Sequence, residues 1–345
     1  MVKGKGKLLL SGMLLAAALL GGCAADGNSG NSGNSGSGGG TADAKTDAAP
    51  AAGGGDKLYI PIISKGFQHQ FWQAVKQGAE KAAAEYGVEI TFEGPETESQ
   101  VDKQIEMLQA ALDKKPSAIG LAALDSQASV PLLEKAKEAG IPVIGFDSGV
   151  DSDIPVATAA TDNKAAAALA ADKMSELIGG KGEIALIVHD QTSVTGVNRR
   201  DGFKEQIESK YPDIKIVDIQ YGGGDQLKST DLAKAIMQAH PDLKGIFGAN
   251  EGSVVGVINA VTEMNKIGKV TIVGFDSGKL QLDAVRSGTV AGSITQDPLG
   301  IGYQTVKAAV QAIKGEKVEK LIDTGFHWYD KTNMDSEEIK PLLYE

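Results

Sequence analysis

From Leu58 onward, short runs rich in β-branched and other apolar residues alternate with longer stretches whose apolar residues recur every three or four positions. The runs span residues 59–63, 89–93, 118–123, 142–147, 156–162, 183–190, 214–221, 245–250, 270–276 and 290–296. Between them lie stripes such as Phe71, Val75, Ala79, Ala82 and Tyr86, or Val101, Ile105, Leu108 and Leu112, spaced as one face of an amphipathic helix. This alternation predicts an α/β fold with parallel sheets covered by helices on both faces. Turn signals at Lys114-Lys115-Pro116, Gly140 and Gly179-Gly180 punctuate the elements without a long low-complexity break.

The pattern repeats. Gly-Phe-Asp-Ser-Gly occurs at residues 145–149 and again at 274–278, each time behind a short apolar run of the kind a parallel sheet buries on both faces. Asp147 and Asp276 are therefore expected at the C-terminal ends of two strands, the edge where open α/β sheets bind ligands. A chain that presents the same acceptor from two similar sheets most simply holds a small, hydroxyl-rich molecule between them. The segments near residues 156–163, 296–298 and 323 are expected to cross between the two halves as a three-strand hinge. That gives an N-terminal lobe of residues 57–162 plus 297–323 and a C-terminal lobe of 163–296 plus 324–345.

The 345 residues suffice for about two domains of roughly 150 residues each. Ahead of them, Lys3, Lys5 and Lys7 precede an apolar stretch over residues 8–20, which suits the core of an export signal and is short for a bilayer span. It ends in Leu20-Gly21-Gly22-Cys23, which resembles the lipobox of bacterial lipoproteins, and Cys23 is the chain's only cysteine. The expectation is a signal peptide over residues 1–23, lipidated at Cys23. The Asn-Ser-Gly triplets and Gly/Ala-rich residues of 24–56 read as a flexible tether. With one cysteine no intramolecular disulfide is available, so the fold must stand on its cores. Net charge is −11, and removing the three signal-peptide lysines takes it to −14, which disfavours nucleic acid and anionic membrane surfaces as partners of the body.

Several motifs stand in a telling order: residues 64–72 after the first strand, Gly-Phe-Asp after the fourth, Asn198-Arg199-Arg200-Asp201-Gly202-Phe203, Ala249-Asn250-Glu251, the second Gly-Phe-Asp, and Thr295-Gln296. From Lys57 to Asn333 this order resembles the type I periplasmic sugar-binding proteins, with ribose-binding proteins the nearest branch. The resemblance implies two Rossmann-like lobes that close on a monosaccharide and deliver it to the permease subunits, with their cytoplasmic ATPase, of an ABC importer. It also implies a monomeric lipoprotein on the outer face of the cell membrane, of the Gram-positive type.

A sugar needs carboxylate and amide groups around its hydroxyls and aromatic planes against its ring. The resemblance carries these roles to Asp147, Asn250, Asp276 and Gln296, to the aromatic pair Phe71 and Trp72, and to Phe275. His69 falls where many relatives carry Asn. Arg199 matches the family's sugar-binding arginine, with Arg200 the competing assignment. Two departures are expected to enlarge the pocket: Ser148 in place of an arginine, and Gly222-Gly223-Gly224 in place of an aromatic. They open the ligand class to a hexose, an inositol or a small disaccharide.

No catalytic signature is present. His69, His189, His240 and His327 are scattered, no Gly-x-Ser-x-Gly elbow occurs, and the glycine triplet lacks the Lys-Ser/Thr of a phosphate loop. His189-Asp190 and the Asp147, Asp151, Asp153 series lack a full ligand set for a metal and read as surface turns. No cofactor and no enzyme activity are expected. The rival class is a ligand-sensing subunit docking on a membrane histidine kinase; a repressor of the same fold is disfavoured by an export signal where a DNA-binding helix-turn-helix would stand.

Overall fold

The computed structural model describes residues 57–344. The expected signal peptide, Cys23 and the tether lie outside the described residues. Among the described residues no helix is long and apolar enough to cross a membrane.

The first half runs β1 (Tyr59–Ile63), α1 (Gln70–Tyr86), β2 (Glu89–Glu93), α2 (Val101–Asp113), β3 (Ile119–Leu121), α3 (Val130–Glu138), β4 (Val143–Phe146) and β5 (Ala157–Ala160). The second repeats the plan with α4 (Asn163–Ile178), β6 (Gly182–Val188), α5 (Val194–Lys210), β7 (Ile214–Tyr221), α6 (Gln226–Ala239), β8 (Leu243–Gly248), α7 (Glu251–Glu263), β9 (Thr271–Phe275), α8 (Lys279–Ser287) and β10 (Gly292–Gln296). The chain then returns through α9 (Pro298–Ile313), β11 (Leu321–Asp323) and β12 (Phe326–Tyr329).

These strands form two six-stranded sheets, ordered β11-β5-β4-β3-β1-β2 and β12-β10-β9-β8-β6-β7. The two orders are equivalent, and each reverses beside its first strand, the topological switch where such sheets bind ligands. Edge strand β2 is half exposed, whereas β3 and β4 are buried throughout, as strands covered on both faces must be. Adjacent side chains serve opposite faces: Ile62 packs with α1 and α9, and Ile63 packs with α2 and α3. In the second lobe, Leu186 joins the cluster of α4 and α5, and Ile187 joins that of α6 and α7.

Three segments link the sheets, because β5, β10 and β11 are each followed by an element of the other lobe. The links are tied to one another: the Thr324 N–H donates to the Ala160 carbonyl at 3.1 Å, and Thr161 Oγ1 donates to the Gly325 carbonyl at 3.2 Å. Helix α9 belongs with α1, and they approach closely because Gly302 faces Val75; a Cβ at Gly302 would stand 1.9 Å from that carbonyl oxygen. Strand β12 has no counterpart among the expected runs. It pairs antiparallel with β10, Gln296 opposite Phe326, and its Phe-His-Trp-Tyr sequence offers no alternation to reveal it.

Candidate functional site

Polar residues at or just beyond the strand ends of both sheets converge on one chamber. The first lobe contributes Lys65 beyond β1, His69, Phe71 and Trp72 at the start of α1, Glu98 ahead of α2, and Asp147 beyond β4. The second contributes His189 beyond β6, Thr195 and Arg199 on α5, Asn250 beyond β8, Asp276 beyond β9 and Gln296 at the end of β10. The space not filled by protein atoms, mouth included, is about 270 Å³.

In the first-lobe wall, Phe71 and Trp72 meet edge to face with ring centroids 4.9 Å apart. Both are buried, because the first turn of α1 lies in the seam between core and chamber, so adjacent positions are covered on both sides. The Trp72 indole N–H donates to Glu98 Oε1 at 2.8 Å, fixing the ring. Burial pushes the Glu98 pKa up, but Lys65, His69, His189 and the Trp72 N–H together outweigh it and hold the carboxyl below its ordinary value. Asp147 differs. Among the described residues no protein donor hydrogen-bonds its carboxylate, and burial pushes its pKa up to about 6 against the pull of Lys65 and Arg199.

In the second-lobe wall, Arg199 is aimed from three sides. Its Nε donates to Asn163 Oδ1 at 2.7 Å, its Nη1 to the Ala249 carbonyl at 2.9 Å, and its guanidinium carbon lies 3.7 Å from the centre of the Phe275 ring. Asp276 accepts from Gln296 Nε2 at 2.7 Å and from the Glu251 N–H at 2.9 Å. Asn250 is the N-cap of α7, its side chain accepting from the Ser253 N–H. His189 Nε2 sits 3.1 Å from Thr195 Oγ1, and burial pushes its pKa down, so the imidazole is neutral at physiological pH.

The lobes touch around the chamber. Lys65 Nζ donates to Thr195 Oγ1 at 3.1 Å and Ser193 Oγ at 3.4 Å, with Asp190 3.8 Å away. Gln68 Nε2 donates to the Gly224 carbonyl at 3.1 Å, and the Ser126 N–H to the Thr192 carbonyl at 3.0 Å. Groups that donate, accept and stack are thus arranged around one small space, with contributions that neither lobe makes alone.

This architecture has known counterparts. Residues 60–317 match the periplasmic binding protein domain family. The chain belongs to that family. It is 30% identical over 268 residues to the D-allose-binding periplasmic protein of Escherichia coli, covering 75% of this chain and 86% of the relative. An Agrobacterium vitis ABC transporter solute-binding protein with bound D-fucose is 36% identical with a TM-score of 0.81, the match covering 83% of this chain and all of that one. An Agrobacterium radiobacter carbohydrate transporter solute-binding protein in complex with D-arabinose is 33% identical, also with a TM-score of 0.81, covering 84% and 99%. As a periplasmic binding protein the chain is not an enzyme, and its chamber has to be understood as a place for holding rather than converting.

In this binding protein the expected His69, Phe71, Trp72, Asp147, Arg199, Asn250, Asp276 and Gln296 all face one space. Phe275 does not line it; wholly buried, it is the platform under Arg199. Arg200 lies outside, paired with Asp201 at 2.7 Å and reaching Tyr221 at 3.4 Å. Lys65, Glu98, His189 and Thr195 join the chamber unforeseen. His189, expected on a surface turn, is 2% exposed because α5 packs its first turn over it. Asp190 does hold that turn, accepting from the N–H groups of Thr192 and Ser193.

The two departures expected to enlarge the pocket do not. Ser148 is buried and is not among the chamber's lining residues. Gly224 admits the opposite lobe instead: a Cβ there would stand 3.0 Å from Glu98 Oε2 and 3.1 Å from Gln68 Nε2. The room left by a missing aromatic ring is filled by these two polar side chains.

Proposed function

We propose that this protein binds a monosaccharide between its two lobes and presents it to the membrane subunits of an ABC importer. The lobes, residues 57–162 with 297–323 and 163–296 with 324–345, would move as bodies about the three linking segments. Hydrogen-bonding capacity left unspent inside the chamber carries this reading. Among the described residues the Asp147 carboxylate and the buried Gln296 Oε1 have no protein donor, and both line the same chamber as the aromatic pair Phe71 and Trp72. Hydroxyls are donors of the right kind for two such acceptors, and a sugar's C–H face suits the aromatic wall. The D-allose, D-fucose and D-arabinose named for its relatives are all single-ring sugars.

The test is a thermal-shift and calorimetric screen of these sugars with inositols and disaccharides as contrast. A sugar at 100 times its Kd should stabilise the fold by about 2.7 kcal/mol. A screen in which no monosaccharide shifts the transition at millimolar concentration would count against the proposal.

Export and lipidation at Cys23 would place the body on the outer face of the cell membrane, held by the residues 24–56 tether as a single copy. Cys23→Ala should then leave sugar binding intact and move the protein from the membrane fraction to the soluble one. Retention of that variant in salt-washed membranes would remove the lipid anchor from this account.

A further inference from the structure

Helix α1, which carries Phe71 and Trp72 into the chamber, is not capped by its own lobe. Its N-cap residue His69 is extended and makes no side-chain cap, and no acidic residue stands in the first turn. The Trp72 N–H reaches back to the His69 carbonyl at 3.3 Å, leaving the N–H groups of Gln70 and Phe71 to find acceptors elsewhere. They find them across the cleft. Glu251, the first residue of α7, accepts from the Gln70 N–H with Oε1 at 3.1 Å and from the Phe71 N–H with Oε2 at 3.2 Å.

The exchange is mutual. Gln70 Oε1 accepts from the Lys279 N–H at 2.6 Å, at the start of α8 in the second lobe, whose N-cap residue is Gly278. Glycine at 278 also makes the room Glu251 needs, since a Cβ there would stand 2.7 Å from its carboxylate carbon. At its other end Glu251 donates its backbone N–H to Asp276 Oδ2 at 2.9 Å. One buried residue therefore ties the helix bearing the aromatic wall to the carboxylate of the opposite wall.

We propose that Glu251 is a positioning residue for ligand binding, a helix cap supplied by one lobe to the other and made only when the lobes meet. Its carboxylate, placed at the positive end of α1, holds the first turn in the pose that faces the chamber. Opening the lobes breaks the cap and returns the two N–H groups to water, so the closed geometry of Phe71 and Trp72 depends on Glu251 although it is not among the chamber's lining residues. This inference rests on the two-lobe binding reading above.

The experiment compares wild type, Glu251→Gln, Glu251→Ala and Gly278→Ala by amide exchange at Gln70 and Phe71, with and without saturating D-allose, together with calorimetric affinity and sugar-free melting temperature. Wild type should protect both amides more strongly with the sugar. Glu251→Ala should lose that added protection and bind about fivefold more weakly, a cap being worth roughly 1 kcal/mol and each tenfold 1.4 kcal/mol, while its sugar-free melting temperature stays near wild type. Glu251→Gln keeps one carbonyl oxygen and should fall between. Gly278→Ala should behave like Glu251→Ala by displacing a carboxylate that is still present.

Wild-type protection at both amides in Glu251→Ala overturns the proposal. So does a loss of protection spread along all of α1 with an equal fall in sugar-free melting temperature, which marks a merely structural residue. If D-allose does not bind the wild type, the monosaccharide reading is what suffers, and the cap is decided with the lobes held together by an oxidised Ser126→Cys/Thr192→Cys pair, at positions whose backbones hydrogen-bond across the lobes at 3.0 Å. Faster exchange of these two amides when Glu251→Ala is added to that pair supports it, and equal rates sink it.

Discussion

Asp147 and Asp276 hold the same place in the two lobes, each with a left-handed backbone at φ 54° and 79° just beyond a strand. The Asp147 N–H donates to the Ala159 carbonyl at 2.9 Å, on the strand next to its own, and the Asp276 N–H donates to the Ile294 carbonyl at 2.6 Å, again on the neighbouring strand. The repeated pentapeptide is thus a repeated turn that lifts a carboxylate off the sheet edge. Positive φ strains most side chains but suits Asp and Asn, so Asp→Asn variants alter charge while sparing the backbone.

At Asp147 the consequence is a pH dependence. Burial pushes its pKa from 3.8 to about 6; Lys65 and Arg199 oppose the rise, while Glu98 and Asp276 add to it. For a carboxylate with a raised pKa, the folded closed form holds its proton more tightly than the unfolded chain. That form therefore loses stability as pH rises from about 4 to about 6 and gains nothing above. Sugar hydroxyls favour the ionised group, so affinity should run the other way and fall as pH drops below about 6, by at most about tenfold per unit. Asp147→Asn should weaken binding at pH 7.5 and flatten this profile. Calorimetric titrations between pH 7.5 and 5 decide it, and a wild-type Kd constant over that range would refute the assignment.

Asp276 should respond differently, because protein donors already hold both its oxygens. Gln296 Nε2 and the Glu251 N–H aim the carboxylate, and Arg199 Nη1 stands 3.9 Å away. In Asp276→Asn one of these donors would meet an amide N–H₂. The expected loss is about 1.5–3 kcal/mol of binding, the range for hydrogen bonds to charged groups, with a smaller fall in sugar-free stability. An unchanged affinity would take Asp276 out of the binding site.

Much of this was legible beforehand, and what was not has a common cause. Strands β1, β2 and β7 coincide with their expected runs, the buried β1 through consecutive apolar residues and the half-exposed edge strands β2 and β7 through apolar residues that alternate with polar ones. Asp147, Asn250, Asp276 and Gln296 stand at or just beyond strand ends, so their location came with the strands. Lys65 and Glu98 gave no such cue. In an isolated strand-to-helix loop, Lys and Glu read as solvated, and only the approach of Thr195 and Asn250 from the other lobe buries them. The glycine triplet misled for the same reason, since a missing side chain reveals room but not which distant group takes it.

Trp72 offers an optical reading of closure. Trp328, half buried, instead donates its indole N–H to Asp330 Oδ2 at 2.9 Å and is not among the chamber's lining residues. A sugar-induced change in intrinsic fluorescence should persist in Trp328→Phe and vanish in Trp72→Phe. The reverse result would move the binding event away from α1.

Tyr344 provides the last test, because it belongs to neither lobe alone. Its ring packs in the first lobe's core with the centroid 6.2 Å from that of Phe71, while its hydroxyl accepts from the Ser277 N–H in the second lobe at 3.1 Å. Ser277 immediately follows Asp276, so Tyr344 supports the aromatic wall and the carboxylate turn together. Tyr344→Phe keeps the ring and strands one buried N–H, which should cost about 1–3 kcal/mol. Because the contact spans both lobes, that cost should fall on the closed state and appear as weaker sugar binding. Tyr344→Ala also removes the surface behind Phe71 and should weaken binding further. Calorimetry on the two variants separates the contributions, and binding by Tyr344→Ala as tight as wild type would show that Phe71 holds its pose without this support.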